Sequence, residues 1–271
     1  MNEPLTPVPP VLPVAPWLGG KRNLAKRICA LIDADTTHQT YAEPFVGMGG
    51  IFLRRTSRPR AEVINDAGRD VANLFRILQR HYPQFLEVLR FQLTTRAEFN
   101  RLVDTNPDTL TDLERAARFL YLQRTAFGGK VSGRNFGVSA GRPGRFNLTT
   151  LEPMLEDLHS RLAGVVIECL DFGEFIRRYD GPGTLFYLDP PYWGCEGDYG
   201  RALFARADFQ RLADQLAQIR GRFLMSINDV PEVRAMFAWA RIEEVTTTYT
   251  IGAKADSRTA RAELLIRGGA R

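Results

Sequence analysis

The sequence predicts an α/β protein, an open doubly wound sheet interrupted by one mostly helical insertion. Three observations point to it. Short apolar or aromatic runs at 41–45, 61–66, 165–170 and 184–188 each stop at a glycine turn or an acid, as strands do at the ligand-binding edge of such a sheet. Residues 68 to about 125, between the second and third runs, repeat apolar side chains at helix spacing and hold no strong strand. The strand–helix rhythm then resumes and closes with strands at 242–251 and 262–266. A length of 271 residues suits one large domain carrying such an insertion.

Residues 1–16 contain Pro4, Pro7, Pro9, Pro10, Pro13 and Pro16, which predicts an extended or disordered Pro-rich leader. Trp17-Leu18-Gly19-Gly20-Lys21 breaks that texture. A helix is expected from about Asn23 to Ile32, with Leu24, Ile28, Leu31 and Ile32 on one face. The glycines are either a plain turn, with Trp17 as a core plug, or a device that brings indole and ammonium to one small ligand. Tyr41–Phe45 reads as the first strand, running into Val46-Gly47-Met48-Gly49-Gly50 and a helix from about Ile51 to Arg55. Strand, glycine turn and helix in succession bring backbone close to a nucleoside or phosphate. The G-x-G-x-x-G pattern is incomplete, and a left-handed turn alone would also explain these glycines. The second strand, Ala61–Asp66, ends in an acid about 20 residues after the turn, where a carboxylate accepts hydrogen bonds from ribose hydroxyls. An N-cap for the following helix is the other reading of Asp66.

Within the insertion, Val71, Leu74, Phe75 and Leu78, and then Phe85, Val88, Leu89 and Leu93, recur at helix spacing. Asp104–Leu110 reads as a loop and Leu113–Leu122 as a further helix. From Arg115 to Asn147 the chain carries Arg115, Arg118, Arg124, Lys130, Arg134, Arg142 and Arg145 and no acid, interleaved with glycines and with Tyr121, Phe127, Phe136 and Phe146. A glycine-rich basic stretch of this kind attracts a phosphate backbone, and its aromatics can stack on bases or wedge into a base step. A solvated basic loop with aromatic anchors is the plainer alternative.

A helix near Leu151–Leu162 precedes the third strand, Val165–Leu170, which stops at Asp171-Phe172. A short helix, Gly173–Tyr179, leads into the buried strand Thr184–Leu188. Asp189-Pro190-Pro191-Tyr192 must end that strand, because neither proline can donate to a ladder. The prolines stiffen the backbone between a carboxylate and an aromatic ring, which suits a planar ligand bearing an amino group. A Pro-rich turn with a surface tyrosine is the bland alternative. Gly194–Ala205 reads as a loop flanking this edge, and Asp208–Arg220 as an amphipathic helix N-capped by Asp208. Arg222–Asn228 is a strand ending in a polar residue, and Glu232–Trp239 is helical.

The net charge of +5 suits an acidic partner. Cys29, Cys169 and Cys195 lie far apart, which points to a reducing compartment and away from a disulfide framework or a zinc site. His38, His81 and His159 are isolated and are expected at the surface or a boundary, and no metal is expected. No apolar run reaches membrane-spanning length, and the first residues lack signal-peptide order, so a cytoplasmic protein is expected.

Taken in order, these motifs resemble the Dam-like family (D12 class, alpha group) of DNA adenine N6-methyltransferases. Trp17–Lys21 resembles the W-x-G-G-K motif, Glu43–Gly50 the F-x-G-x-G motif, and Asp66 the ribose-binding acid. Asp171-Phe172 resembles the adenine-side cofactor contact, and Asp189-Pro190-Pro191-Tyr192 the D-P-P-Y motif. The resemblance implies a Rossmann-like S-adenosylmethionine-dependent methyltransferase sheet formed by 17–67 and 160–271. It also implies a target-recognition insertion at 68–159 with a basic loop at 124–147. It implies S-adenosylmethionine, without a metal, held by Trp17, Lys21, Phe45, Gly47, Gly49, Asp66, Asp171, Phe172 and Asp189. Catalysis would fall to Asp189, Pro190, Pro191 and Tyr192, on a base flipped out of double-stranded DNA. Charge and position nominate Arg124, Lys130, Arg134, Arg142 and Arg145 as DNA contacts. The resemblance also implies a monomer associated with the nucleoid, and it admits a cognate restriction endonuclease in the same cell. Thr125-Ala126-Phe127-Gly128-Gly129 stands where the family often carries Asn, so no recognition sequence carries over. Alternatives are an adenine methyltransferase acting on RNA, a DNA-binding relative without catalysis, and an oxidoreductase, which would want the full glycine fingerprint.

Overall fold

The computed structural model describes residues 5–137, 141, 143–199, 203–250 and 258–269. Arg142, nominated above as a DNA contact, lies outside them. In chain order the strands are β1 (Thr6–Pro7), β2 (Thr40–Glu43), β3 (Ser57–Arg58), β4 (Ala61–Asn65), β5 (Val166–Glu168), β6 (Thr184–Leu188), β7 (Arg222–Asn228), β8 (Arg241–Thr250) and β9 (Arg258–Gly269). The α-helices are α1 (Ala25–Asp33), α2 (Arg69–Arg80), α3 (Tyr82–Leu89), α4 (Arg96–Asp104), α5 (Asp112–Thr125), α6 (Leu148–Arg161), α7 (Phe172–Tyr179), α8 (Arg206–Leu216) and α9 (Pro231–Met236).

Seven strands form one sheet in the order β5-β4-β2-β6-β7-β9-β8. The pairs from β5 through β7 are parallel, and β9 runs antiparallel to both β7 and β8. Chain order reverses between the neighbours β2 and β6, which makes their carboxyl ends the topological switch point. The strand Thr184–Leu188 is buried along its whole length, as a parallel strand covered on both faces must be. Its alternate residues divide between two cores. Leu185 and Tyr187 pack with Ile64, Leu224 and the apolar faces of α1 to α6, whereas Phe186 and Leu188 pack with Phe175, Phe209 and Met225 toward α7, α8 and α9.

The insertion therefore is not a detached unit. Phe75, Phe85, Phe99, Phe119, Tyr121 and Leu155 belong to the same core as one face of the sheet. Three of its helices start where side-chain caps satisfy first-turn N–H groups: Thr95 accepts from Glu98 N, Thr111 forms a capping box with Glu114, and Asn147 accepts from Thr149 N. Its last helix is pinned to the sheet by a buried ion triad. Glu62 on β4 pairs with Arg161 (2.6 Å) and with Arg55 (2.7 Å), and the guanidinium groups lie over Phe52 and Tyr41.

Several expectations shift. Within the leader, residues 6–15 are held against the domain. β1 pairs with β3, Val11 N donates to Leu53 O (2.7 Å), and Val11, Val14 and Ala15 are buried. Its valines supply apolar surface and N–H groups between the prolines, so the segment lies down on the domain. The expected helix at Ile51–Arg55 is only a 3-10 turn at Phe52–Arg54. The third strand shrinks to three residues, because the Asn65 side chain takes the backbone N–H and C=O of Leu170. α8 begins at Arg206, and Asp208 is not its N-cap. The carboxylate lies in the first turn and accepts from Ala205 N at 2.8 Å. His38 is buried, with Nδ1 2.5 Å from Asp35 O.

Candidate active site

The carboxyl ends of β2, β4 and β6 open into a cavity of about 1530 Å³. Glu43 ends β2, and the chain turns through Pro44, Phe45 and Val46 into Gly47 at φ +50° and Gly49 at φ +74°. Val46 N donates to Asn65 O (2.9 Å), which ties the turn to the end of β4. One residue later, Asp66 accepts from Gly47 N (3.0 Å) and Gly68 N (2.7 Å). Burial pushes its carboxyl up to about 6, against the pull of those two N–H groups. Asn65 donates to Pro44 O (2.9 Å) and Leu170 O (3.1 Å) and so clamps three strand ends together.

Trp17 explains why Gly47 is glycine. A Cβ there would lie 2.5 Å from the indole Nε1. Gly20 N donates back to Trp17 O (3.1 Å), and the tight turn delivers Lys21 into the cavity wall. Lys21 is only 2% exposed; its ammonium donates to Gly19 O (3.0 Å) and pairs with Asp189 Oδ1 (2.7 Å). It also lies 4.5 Å from the centre of the Tyr192 ring.

Asp189 follows β6 and keeps 22% of its side chain exposed. Ser226 on β7 donates to Asp189 Oδ1 (3.2 Å), and Tyr187 OH lies 2.7 Å from Ser226 Oγ. Burial raises the Asp189 carboxyl above its usual range, Lys21 and Ser226 oppose the rise, and Glu263 adds to it. Glu43, fully buried beside it, is pushed up to about 8 by burial despite a 2.6 Å hydrogen bond from Tyr41 OH. The chain beyond the motif is fixed by Asn228, which accepts from Trp193 N (2.9 Å) and donates to Trp193 O (3.1 Å). Pro191 lines the cavity and Pro190 is buried.

Opposite, Phe45, Phe172 and Phe204 form an aromatic trio with centroids 5.6–5.9 Å apart, and all three line the cavity. Asp171 does not line it. Its carboxylate caps α7 through Gly173 N and Glu174 N and pairs with Arg211 at 2.7 Å, so of that pair only Phe172 lines the cavity.

The basic stretch divides in two. Arg115 is spent on Asp70 and Asp108, and Arg118 on the carbonyls of Leu102 and Val103. Residues 125–137 form a small hairpin, with Phe127 N donating to Asn135 O and Gly137 N to Thr125 O, both at 2.8 Å. Lys130 and Arg145 are exposed on it and beside it, and Phe127 is 55% exposed. Arg124 is directed inward, donating to Val14 O and Arg145 O. Arg134 lies over Phe119 and beside Gln123, and burial pulls it down to about 10. Gln123, fully buried, donates to Pro16 O (2.9 Å) and Gly129 O (2.6 Å), latching the leader to the hairpin.

Sequence reasoning passed over Ser226, Gln123 and Asn65 as site residues, and it quoted Glu43 only as part of a motif. Only the polar end of the strand at Asn228 and the loop before Ala205 carried a signal. Among the described residues, no cluster of His, Cys, Asp or Glu could hold a metal ion, and no helix is long and apolar enough to cross a membrane.

A family model described as D12 class N6 adenine-specific DNA methyltransferase matches residues 17–251. The chain is 28% identical over 277 residues to the type II methyltransferase M1.LlaDCHI of Lactococcus lactis subsp. cremoris, covering 94% of each protein. It is 24% identical over 229 residues to the type II methyltransferase M.CviBI of Paramecium bursaria Chlorella virus NC1A, covering 83% of this chain and 86% of the relative. It is 25% identical over 284 residues to the type II methyltransferase M.MjaIII of Methanocaldococcus jannaschii, with 92% and 95% covered.

Proposed function

We propose how a chain that belongs to the D12 class of N6 adenine-specific DNA methyltransferases carries out its reaction. The methyl donor is S-adenosylmethionine. The residues present fit it: a carboxylate held by two backbone N–H groups faces the glycine turn, and an aromatic trio lines the same cavity. Asp66 would accept hydrogen bonds from the ribose hydroxyls, Phe45, Phe172 and Phe204 would hold the adenine ring, and Gly47 and Gly49 would let the turn pack on Trp17 and Leu53 while Gly47 borders the cavity. Trp17 backs the turn. When bound, S-adenosylmethionine supplies a methyl group on a sulfonium, which is already electrophilic.

The exocyclic amine of adenine is a poor nucleophile, because its lone pair is delocalised into the ring. Asp189 and the Pro190 carbonyl would accept hydrogen bonds from its two N–H groups and favour a tetrahedral nitrogen with the lone pair free for attack; the nitrogen sheds one of those protons as it gains the methyl group, and the Asp189 carboxylate is the base in reach. Tyr192 stacks on the base, and Pro191 keeps acceptor and ring in fixed relation. Orientation supplies much of the rate in such a direct displacement. The amine is out of reach inside a duplex, so the target base is flipped into the cavity. Lys130, Arg145 and the exposed Phe127 lie on the hairpin side, where a duplex would meet the protein. Arg124 and Arg134 support this reading less directly, since they brace the hairpin. The enzyme works as a sequence-specific monomer on double-stranded DNA in the cytoplasm, at the nucleoid. The type II names of its relatives support a cognate restriction endonuclease as companion.

The observation that carries this reading is that Asp189, Asp66 and Gly47 line one cavity at the switch point. The test is mass-spectrometric measurement of N6-methyladenine after incubating the protein and S-adenosylmethionine with duplex DNA, single-stranded DNA and ribosomal RNA. Methylation of duplex DNA that disappears in Asp189→Asn supports the reading. Preferred methylation of RNA, or full activity in Asp189→Asn, refutes it.

A further inference from the structure

The Asp189 carboxylate is held from one side. Lys21 Nζ at 2.7 Å and Ser226 Oγ at 3.2 Å both reach Oδ1, while the side chain retains exposure to the cavity. Ser226 lies on β7, immediately after the residue that pairs with Leu188, and it is fully buried. A hydroxyl has one proton to give. If Ser226 donates it to Asp189, the oxygen of Ser226 is left to accept, and the Tyr187 hydroxyl stands 2.7 Å away. Tyr187 is also fully buried, and burial holds its phenol well above the usual range, so it keeps its proton to donate. The hydroxyls thus form a directed relay from Tyr187 through Ser226 to Asp189, running inside the sheet.

We propose that Ser226, oriented by Tyr187, is a positioning residue for methyl transfer, holding Oδ1 of Asp189 against the sheet so that Oδ2 is presented to the substrate amine. The inference rests on the reading of Asp189 as the amine acceptor. It adds a reason for a hydroxyl in the apolar middle of β7. A fixed carboxylate loses no orientation when the amine arrives, and a donor on Oδ1 favours the ionised form that an acceptor requires. The groups facing Asp189 come from several elements: Lys21 from the turn before α1, Glu43 from β2, Tyr187 from β6 itself, Ser226 from β7 and Glu263 from β9. Lys21 and Ser226 favour the charge, whereas Glu43 and Glu263 oppose it.

The experiment is single-turnover methylation of duplex genomic DNA from a methylation-free host by the full chain, with saturating S-adenosylmethionine, from pH 5.5 to 9. Variants are Ser226→Ala, Ser226→Thr, Tyr187→Phe and Asp189→Asn, each compared at matched folded fraction by circular dichroism. Ser226→Ala is expected to slow transfer by roughly 10- to 100-fold, leave half-saturation by S-adenosylmethionine within about twofold, and move the acid limb to higher pH. Ser226→Thr, which keeps the hydroxyl, recovers most of the rate and the wild-type limb. Tyr187→Phe slows transfer in the same direction by a smaller factor. A Ser226→Ala rate within about twofold of wild type with an unmoved acid limb overturns the inference. So does a Ser226→Thr variant as slow as Ser226→Ala, since packing alone would then be at stake. Loss of activity in Asp189→Asn beside full activity in Ser226→Ala removes only this inference, whereas an active Asp189→Asn removes the reading beneath it.

Discussion

Replacing Gly47 by alanine should weaken cofactor binding while leaving the protein folded. Three costs arise at this position. The backbone is at φ +50°, where a non-glycine residue is strained by about 1 kcal/mol. The new Cβ would stand 2.5 Å from Trp17 Nε1, 2.9 Å from Cε2 and 3.0 Å from Cδ1, so the indole must move. Overpacking of that kind costs about 1–3 kcal/mol. A displaced turn also loosens the 3.0 Å bond from Gly47 N to Asp66, a charge-assisted contact worth about 1.5–3 kcal/mol. The strain and the clash weigh on the folded protein and are relieved when the turn shifts; the lost alignment of Asp66 is what binding feels, and about 1.5–3 kcal/mol there is roughly 10- to 150-fold in Kd. Isothermal titration of S-adenosylmethionine at pH 8 reads this directly. Gly50→Ala serves as the control for the fold, because its Cβ would find only Lys21 N at 3.8 Å and its φ is not positive. A Gly47→Ala protein that binds within about threefold of wild type would show that the contact between Trp17 and the turn does not shape the cofactor site.

The pH dependence of binding follows from Asp66. With its carboxyl near 6, the free protein takes up a proton there as pH falls, and affinity for S-adenosylmethionine should drop about tenfold between pH 7 and pH 5. Because that value is raised, the ligand-free protein should gain stability as pH falls from about 6 toward 4; Asp66→Asn should flatten both trends in titration and melting experiments. Lys130→Ala and Arg145→Ala should each lower the salt slope of DNA binding by about 1, whereas Arg134→Ala should leave that slope alone and lower the melting temperature. Arg161→Met leaves Glu62 with Arg55 alone and should cost roughly 3 kcal/mol in urea unfolding. A loss below about 1 kcal/mol would mean that Arg55 suffices to neutralise Glu62.

The strand ending at Asp189 was legible because two prolines cannot extend a ladder, so the sequence itself marks where the carboxylate leaves the sheet. Gly47 and Asp66 were legible as a spacing, and the structure adds the hydrogen bond that explains it. Asp171 was less so. An acid after a strand looks the same in sequence whether it faces a ligand or caps the next helix, and Arg211, 40 residues away, decides for the cap. The basic stretch misleads for the same reason. Partners of Arg115 and Arg118 come from α2, from α4 and from the loop after α4, so a run of like charge hides guanidinium groups whose hydrogen bonds go to the protein itself. Ser226 was invisible, since one hydroxyl in the apolar middle of a strand carries no pattern of its own.

The latch at Gln123 bears on the order in which the molecule can be built. Its amide grips Pro16 across 107 residues of chain, and Arg124 grips Val14 across 110. Trp17 and Lys21 emerge early from the ribosome, but the groups that hold the segment before them arrive only once α5 has been made. The segment before that turn therefore gains these contacts only with the middle of the chain. Closing a loop of that length is an entropic cost met late in folding. A nascent chain stalled before Gln123 would carry both the glycine turn and Trp17 without the two side chains that hold Val14 and Pro16 in place.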